Sequence, residues 1–108
     1  MARKAERKPP KPRKVIDDTF AVRSKSGHTG IIREEVWVDA KNEVVKYNLA
    51  YINLRLCQSD NGRAIGYDNA HGYHERHCQG VATKVGFTTY ERKASAFYAE
   101  VRKLREEP

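Results

Sequence analysis

Long apolar runs are missing from these 108 residues, and cysteine is limited to two, tryptophan and methionine to one each. Without a run of roughly 20 apolar residues no helix can span a bilayer. The basic start is not followed by an apolar stretch of the kind a secretory signal carries, so a cytoplasmic protein with no membrane partner is expected. Sequence reasoning alone does not pair Cys57 with Cys78, and no Cys-x-x-Cys pair is present. Both are expected as free thiols, with Cys57, at the end of an apolar run, a small core residue. Acidic residues are also in deficit, 14 against 21 Lys and Arg. The imbalance is local. Residues 1–14 hold seven basic side chains against Glu6 alone, a surplus of six out of the chain's formal +7.

The basicity therefore describes a tail and not a face of the fold, and any attraction to phosphate that rests on net charge must come from that tail. Pro9, Pro10 and Pro12 break any helix there, and nothing apolar is available to bury, so residues 1–14 are expected to be a disordered tail. Such a run suits a solubilising extension as well as weak phosphate binding. Residues 15–108 suffice for one domain with one modest core.

Within that domain, Val15–Val22 suits an edge strand or an extended lead-in, and Ser24–Gly30 a loop. From Ile31 to Asp39, alternation puts Ile32, Val36 and Val38 on one face, with Glu34 the exception, while Arg33 and Glu35 point the other way. After the turn residues Asp39–Asn42, Val44–Cys57 is the longest strand-like run. Its apolar positions change parity near Ala50, which a strand with both faces partly covered, or a bulge there, would explain. Asn61-Gly62 tolerates the positive φ of a tight turn and predicts a hairpin into Arg63–Asp68. Tyr73–Phe87 reads as a further strand bent at Gly80. A Thr88 or Thr89 N-cap then opens a helix from about Tyr90 to Arg105, with Ala94, Phe97, Tyr98, Val101 and Leu104 as its apolar stripe and Arg92, Lys93, Glu100, Arg102 and Lys103 facing water. The expected fold class is α+β, an antiparallel sheet of about four strands closed by one C-terminal amphipathic helix.

Polar chemistry concentrates in Tyr67–Cys78, which holds three of the four histidines. If Tyr73–Cys78 is extended, Tyr73, Glu75 and His77 share one face and His74, Arg76 and Cys78 the other, with His71 in the preceding turn. Three readings compete. As metal ligands, His71, His74, His77, Cys78 and Asp68 are suitable donors, but their spacing scatters them over both faces, so no metal or other cofactor is expected. As acid-base groups, His74 or His77 could move protons while Arg76 holds a phosphate, with His71 in reach and Tyr67, Tyr73 or Glu75 assisting. As structure, Asp68 and Asn69 form a turn, Gly72 supplies backbone freedom, and the histidines, tyrosines and arginine are ordinary strand-surface residues.

The run Gly66–His77, with Asn61-Gly62 before it and a capped C-terminal helix after it, resembles the small TumE-like proteins of bacterial toxin-antitoxin modules. The likeness spans about Val44–Leu104, and its specific part is the Asp68-Asn69-Ala70-His71 turn followed by spaced histidines. Gly72 and Tyr73 stand where the family pattern has His or Pro, and the basic tail is an addition. The resemblance implies a toxin encoded beside a helix-turn-helix antitoxin partner. Joined to the residue reading, it leads to an expected toxin-like protein acting on RNA, with ribonuclease as the expected activity. His71, His74, Arg76 and His77 would be the catalytic groups, and Tyr67, Asp68, Asn69 and Tyr73 would meet the substrate. The alternative is a non-catalytic module that binds protein or nucleic acid.

Overall fold

The computed structural model describes residues 10–106, so most of the tail lies outside the described residues. Six strands form one antiparallel meander in sequence order: β1 (Arg13–Arg23), β2 (Thr29–Val38), β3 (Val44–Ile52), β4 (Arg63–Asp68), β5 (Glu75–Cys78) and β6 (Val81–Lys84). One helix follows, α1 (Tyr90–Glu106). The α+β class holds, with six strands where about four were expected. The two extra strands come from segments read too coarsely. Val15–Val22 lies within the edge strand β1, which begins at Arg13, inside the segment read as tail. The span from Tyr73 to Phe87 is two short strands. Gln79 and Gly80 both take positive φ, 52° and 84°, and turn the chain through a hairpin, so Gly80 is a turn and not a bend within one strand.

The longest strand also ends earlier than its composition suggests. Beyond Ile52 the chain turns around Asn53, which is buried. Its Nδ2 donates to Tyr51 Oη at 3.0 Å and lies 2.9 Å from His28 Nδ1, and its Oδ1 accepts from Arg55 N at 3.0 Å. Leu54 is left 65% exposed by that turn, while Cys57 is buried as expected. The change of parity read from the sequence is therefore the end of a strand and not a bulge at Ala50. A bulge does occur across from it: Tyr51 pairs with Ile65 but Ile52 with Arg63, so Ala64 is the extra residue.

The core lies on one side of the sheet. Ile32 and Val36 from β2, Tyr47, Leu49 and Tyr51 from β3, and Ile65 and Tyr67 from β4 face α1, which contributes Tyr90, Phe97 and Val101. Arg92 N is held by the Thr89 hydroxyl at 3.1 Å, the expected N-cap. Glu34, the exception to the alternation of β2, sits on this covered face because two helix tyrosines serve it: Tyr98 Oη donates to Oε1 at 2.7 Å and Tyr90 Oη donates to Oε2. Burial and the adjacent carboxylate push both phenols well above the ordinary tyrosine range, so they remain donors. Among the described residues no helix is long and apolar enough to cross a membrane.

Phe97 is fully buried and packs edge-on against Tyr67 with ring centroids 6.4 Å apart. Phe97→Ala is expected to lower stability by about 3–5 kcal/mol in urea denaturation, the usual cost of emptying a core aromatic. A loss below about 1 kcal/mol would mean that the ring is not the centre of the helix–sheet contact.

Candidate functional site

The meander gives each side chain one of two faces, and the faces differ in kind. On the side away from α1, cross-strand pairing aligns Glu35, Asn48, Asp68 and Glu75 in one row. The adjacent row runs through Arg33, Ala50, Gly66 and His77. Glu35 ties this face together: its Oε2 takes Lys14 Nζ at 2.7 Å and Arg33 Nη2 at 3.0 Å, and its Oε1 accepts from Asn48 at 3.0 Å. Burial alone would raise the Glu35 carboxyl, but these donors outweigh it and hold it below the usual range.

The small residues Ala50 and Gly66 leave a depression that the Arg63 side chain fills. A Cβ on Gly66 would lie 2.5 Å from Arg63 Cδ and 2.9 Å from Leu49 O. Arg63 reaches this face only through the bulge at Ala64, which reverses its parity relative to Gly66 and Asp68. Its guanidinium grips Asp60 with Nε at 3.0 Å and Nη2 at 3.1 Å, and its Nη1 donates to Asp68 Oδ2 at 3.1 Å. Nη2 also lies 3.1 Å from His77 Nδ1. On the other side of the imidazole, His77 Nε2 is 3.1 Å from Asp68 Oδ2 and 3.7 Å from Glu75 Oε1. Asp68 is 7% exposed and Glu75 8%, although both stand on the face that no helix covers. His71 lies at the rim, with Nδ1 3.1 Å from Glu75 Oε1.

The structure thus brings together Asp68, His71 and His77 of the expected residues and disperses the others. Arg76 points to the helix side, where its Nε donates to Glu100 Oε2 at 3.1 Å and its Nη2 forms an ion pair with the same carboxylate. Tyr67, buried on that side, donates its hydroxyl to Glu100 as well. Glu100 therefore faces the sheet and not water. His74 also leaves the cluster. It stacks on Phe87, centroids 4.1 Å apart and planes within 7°, and its Nδ1 lies 2.8 Å from Tyr47 Oη. Burial and the Lys93 charge lower its pKa, whereas burial raises that of Tyr47 to about 12, so the phenol donates to a neutral ring. His74 and Arg76 are thus engaged separately and do not form a common cradle for one phosphate. Asn69 completes the pairing of β3, accepting from Tyr47 N at 3.1 Å and donating to Val45 O at 3.0 Å. Tyr73 faces outward under Lys84, whose Nζ is 4.4 Å from its ring centroid. Of the residues weighed as metal donors, His74 and Cys78 lie on the helix side, apart from Asp68 and His77.

Residues that spacing alone did not reach are Arg63 and Asp60, while Glu75, read as an assisting group, becomes central. The alternation 66, 68 on β4 against 75, 77 on β5 contained the signal for Glu75. Arg63 had none, since only the bulge turns it over. Beside Asp68 the same face opens into a groove of about 330 Å³ bordered by Glu35, Trp37, Lys46, Asn48 and Ala70. Lys14 and Lys46 lie 4.9 and 4.7 Å from the Trp37 ring centroid. Compared with known protein families, curated proteins and solved structures, the chain has no match.

Two consequences are measurable. Gly66→Ala should cost about 1–3 kcal/mol, because the new methyl meets backbone on one side and the Arg63 stem on the other. Chemical denaturation with an unchanged m-value checks it, and a neutral substitution would show that Arg63 does not lie across that position. The second concerns Glu100. Burial would raise its carboxyl, but hydrogen bonds from Arg76 and Tyr67 prevail and hold it below the ordinary value of 4.5. Its stabilisation is therefore complete above pH 4.5 and is lost as pH falls through the lower folded value. Melting temperature against pH should decline less steeply below that point in Glu100→Gln than in the wild type.

Proposed function

We propose that the chain is a toxin-like protein acting on RNA, and that the Arg63–Asp68–Glu75–His77 cluster on the uncovered face engages the phosphodiester. The observation that supports this is the placement of the cluster. Two carboxylates, an imidazole and a guanidinium converge on the side of the sheet where the hydrophobic core does not need them. Holding neighbouring carboxylates nearly buried costs stability, and such groupings concentrate at functional sites. The groove beside Asp68 carries the Trp37 indole and Lys46, groups that suit a base and a phosphate of a single-stranded nucleic acid. The toxin element of the reading rests on the resemblance of the Asp68–His71 turn and the spaced histidines to TumE-like proteins, and with it goes a helix-turn-helix antitoxin as partner.

A non-catalytic module is the second reading, favoured by β6. Among the described residues no strand pairs with its outer edge, and Val81 is 61% exposed, so a partner strand could add there.

Induced expression in a bacterial host, scored for growth arrest and RNA integrity, separates the two. Wild type should arrest growth and degrade RNA. His77→Ala and Asp68→Asn should lower cleavage by about 10²-fold or more while remaining folded, and His74→Ala should retain most activity. Intact RNA and normal growth with the wild type would remove the toxin reading and leave the module.

A further inference from the structure

We propose that Asp68, Glu75 and His77 form a binding site for one divalent transition-metal cation, of the Mn²⁺ or Zn²⁺ type. The first argument is spacing. Donors bonded to one such ion at about 2.0–2.2 Å stand roughly 3.0–3.6 Å apart, depending on coordination number. His77 Nε2 is 3.1 Å from Asp68 Oδ2 and 3.7 Å from Glu75 Oε1, and one ligand atom from each of the three residues lies within 4.8 Å of the others.

The second argument is the state of the imidazole. His77 is 12% exposed, and its Nε2 is buried without a hydrogen-bond partner although Asp68 Oδ2 stands 3.1 Å away. A buried ring nitrogen this close to two carboxylates that donates to neither is placed to serve as a ligand. The third argument is charge. Asp60 neutralises Arg63 through two hydrogen bonds, which leaves Asp68 and Glu75 as a pair that one divalent ion would balance. His71 at the rim is the other group facing Glu75, and Arg63 Nη1 the other facing Asp68.

With a cation on Nε2 the His77 proton resides on Nδ1, where Asp60 Oδ2 stands 3.5 Å away as the carboxylate behind the ligand. Arg63 then keeps Asp60 and Asp68 and gives up its contact to Nδ1. One imidazole with two carboxylates suits Mn²⁺ or Zn²⁺ better than Ca²⁺. The three ligands come from two adjacent strands and leave coordination positions open toward the uncovered face. A cation there would hold a phosphate oxygen and make His77 a ligand in place of a proton carrier. That use rests on the RNA reading above; the binding does not.

Titration calorimetry of the full chain, free of any affinity tag, with MnCl₂ and with ZnCl₂ tests the site. One ion per chain is expected, with affinity at least about 10-fold lower in Asp68→Asn and in His77→Gln and unchanged in His74→Ala. Because a variant could lose its fold, Mn²⁺ broadening of amide signals in the wild type provides location directly and should centre on residues 68, 75 and 77. Absence of binding by both ions, or broadening centred elsewhere, would overturn the proposal. A wild type that binds Mn²⁺ but leaves growth and RNA unaffected keeps the cation site and removes the RNA reading. One that degrades RNA in EDTA and takes up neither ion does the reverse.

Discussion

A single helix has to bury the apolar side of a six-stranded sheet, and it is too narrow to do so. An α-helix is about 10 Å across and strands are about 4.8 Å apart, so α1 covers little more than two of them. It lies over β3 and β4, and the core gathers there. The outer strands β1 and β6 are left largely exposed, and among the described residues no helix lies on the opposite face.

On the covered side, two carboxylates pin the helix. Glu34 rises from the sheet to Tyr90 and Tyr98, and Glu100 descends from the helix to Tyr67 and Arg76. The pairs run in opposite directions across one interface, so they fix both the position and the rotation of α1, which a stripe of apolar residues would specify less sharply. Arg76 is thereby committed to the architecture, and His74, stacked on Phe87 and hydrogen-bonded to Tyr47, likewise belongs to the packing.

On the uncovered side the depression over Ala50 and Gly66 has a different occupant. The bulge at Ala64 delivers Arg63 into it, and the guanidinium organises Asp60, Asp68 and His77. Pairing of β4 with β5 adds Glu75. Rigid strands hold all of these groups except His71 and Asp60, which suits a site whose geometry must be kept to fractions of an ångström.

Much of the fold was legible from local pattern. Alternation in Ile31–Asp39 identified β2 and even the opposite orientation of Arg33 and Glu35, and the three- and four-residue steps of Phe97, Val101 and their neighbours identified α1 with its cap at Thr89. These are properties of a dozen consecutive residues, so composition and period determine them. The concentration of polar chemistry in Tyr67–Cys78 was equally visible, as was the division of that segment between two faces. Which face carries a site was not. That depends on where the one helix lands, and on pairing between segments distant in the chain: Asp68 meets His77 across a hairpin, and Arg63 joins them through a bulge that only the β3–β4 register creates. Glu34 and Glu100 broke the local pattern because their partners lie 56 or more and 24 or more residues away, and a buried carboxylate is tolerable only once such donors have been brought to it by the tertiary fold.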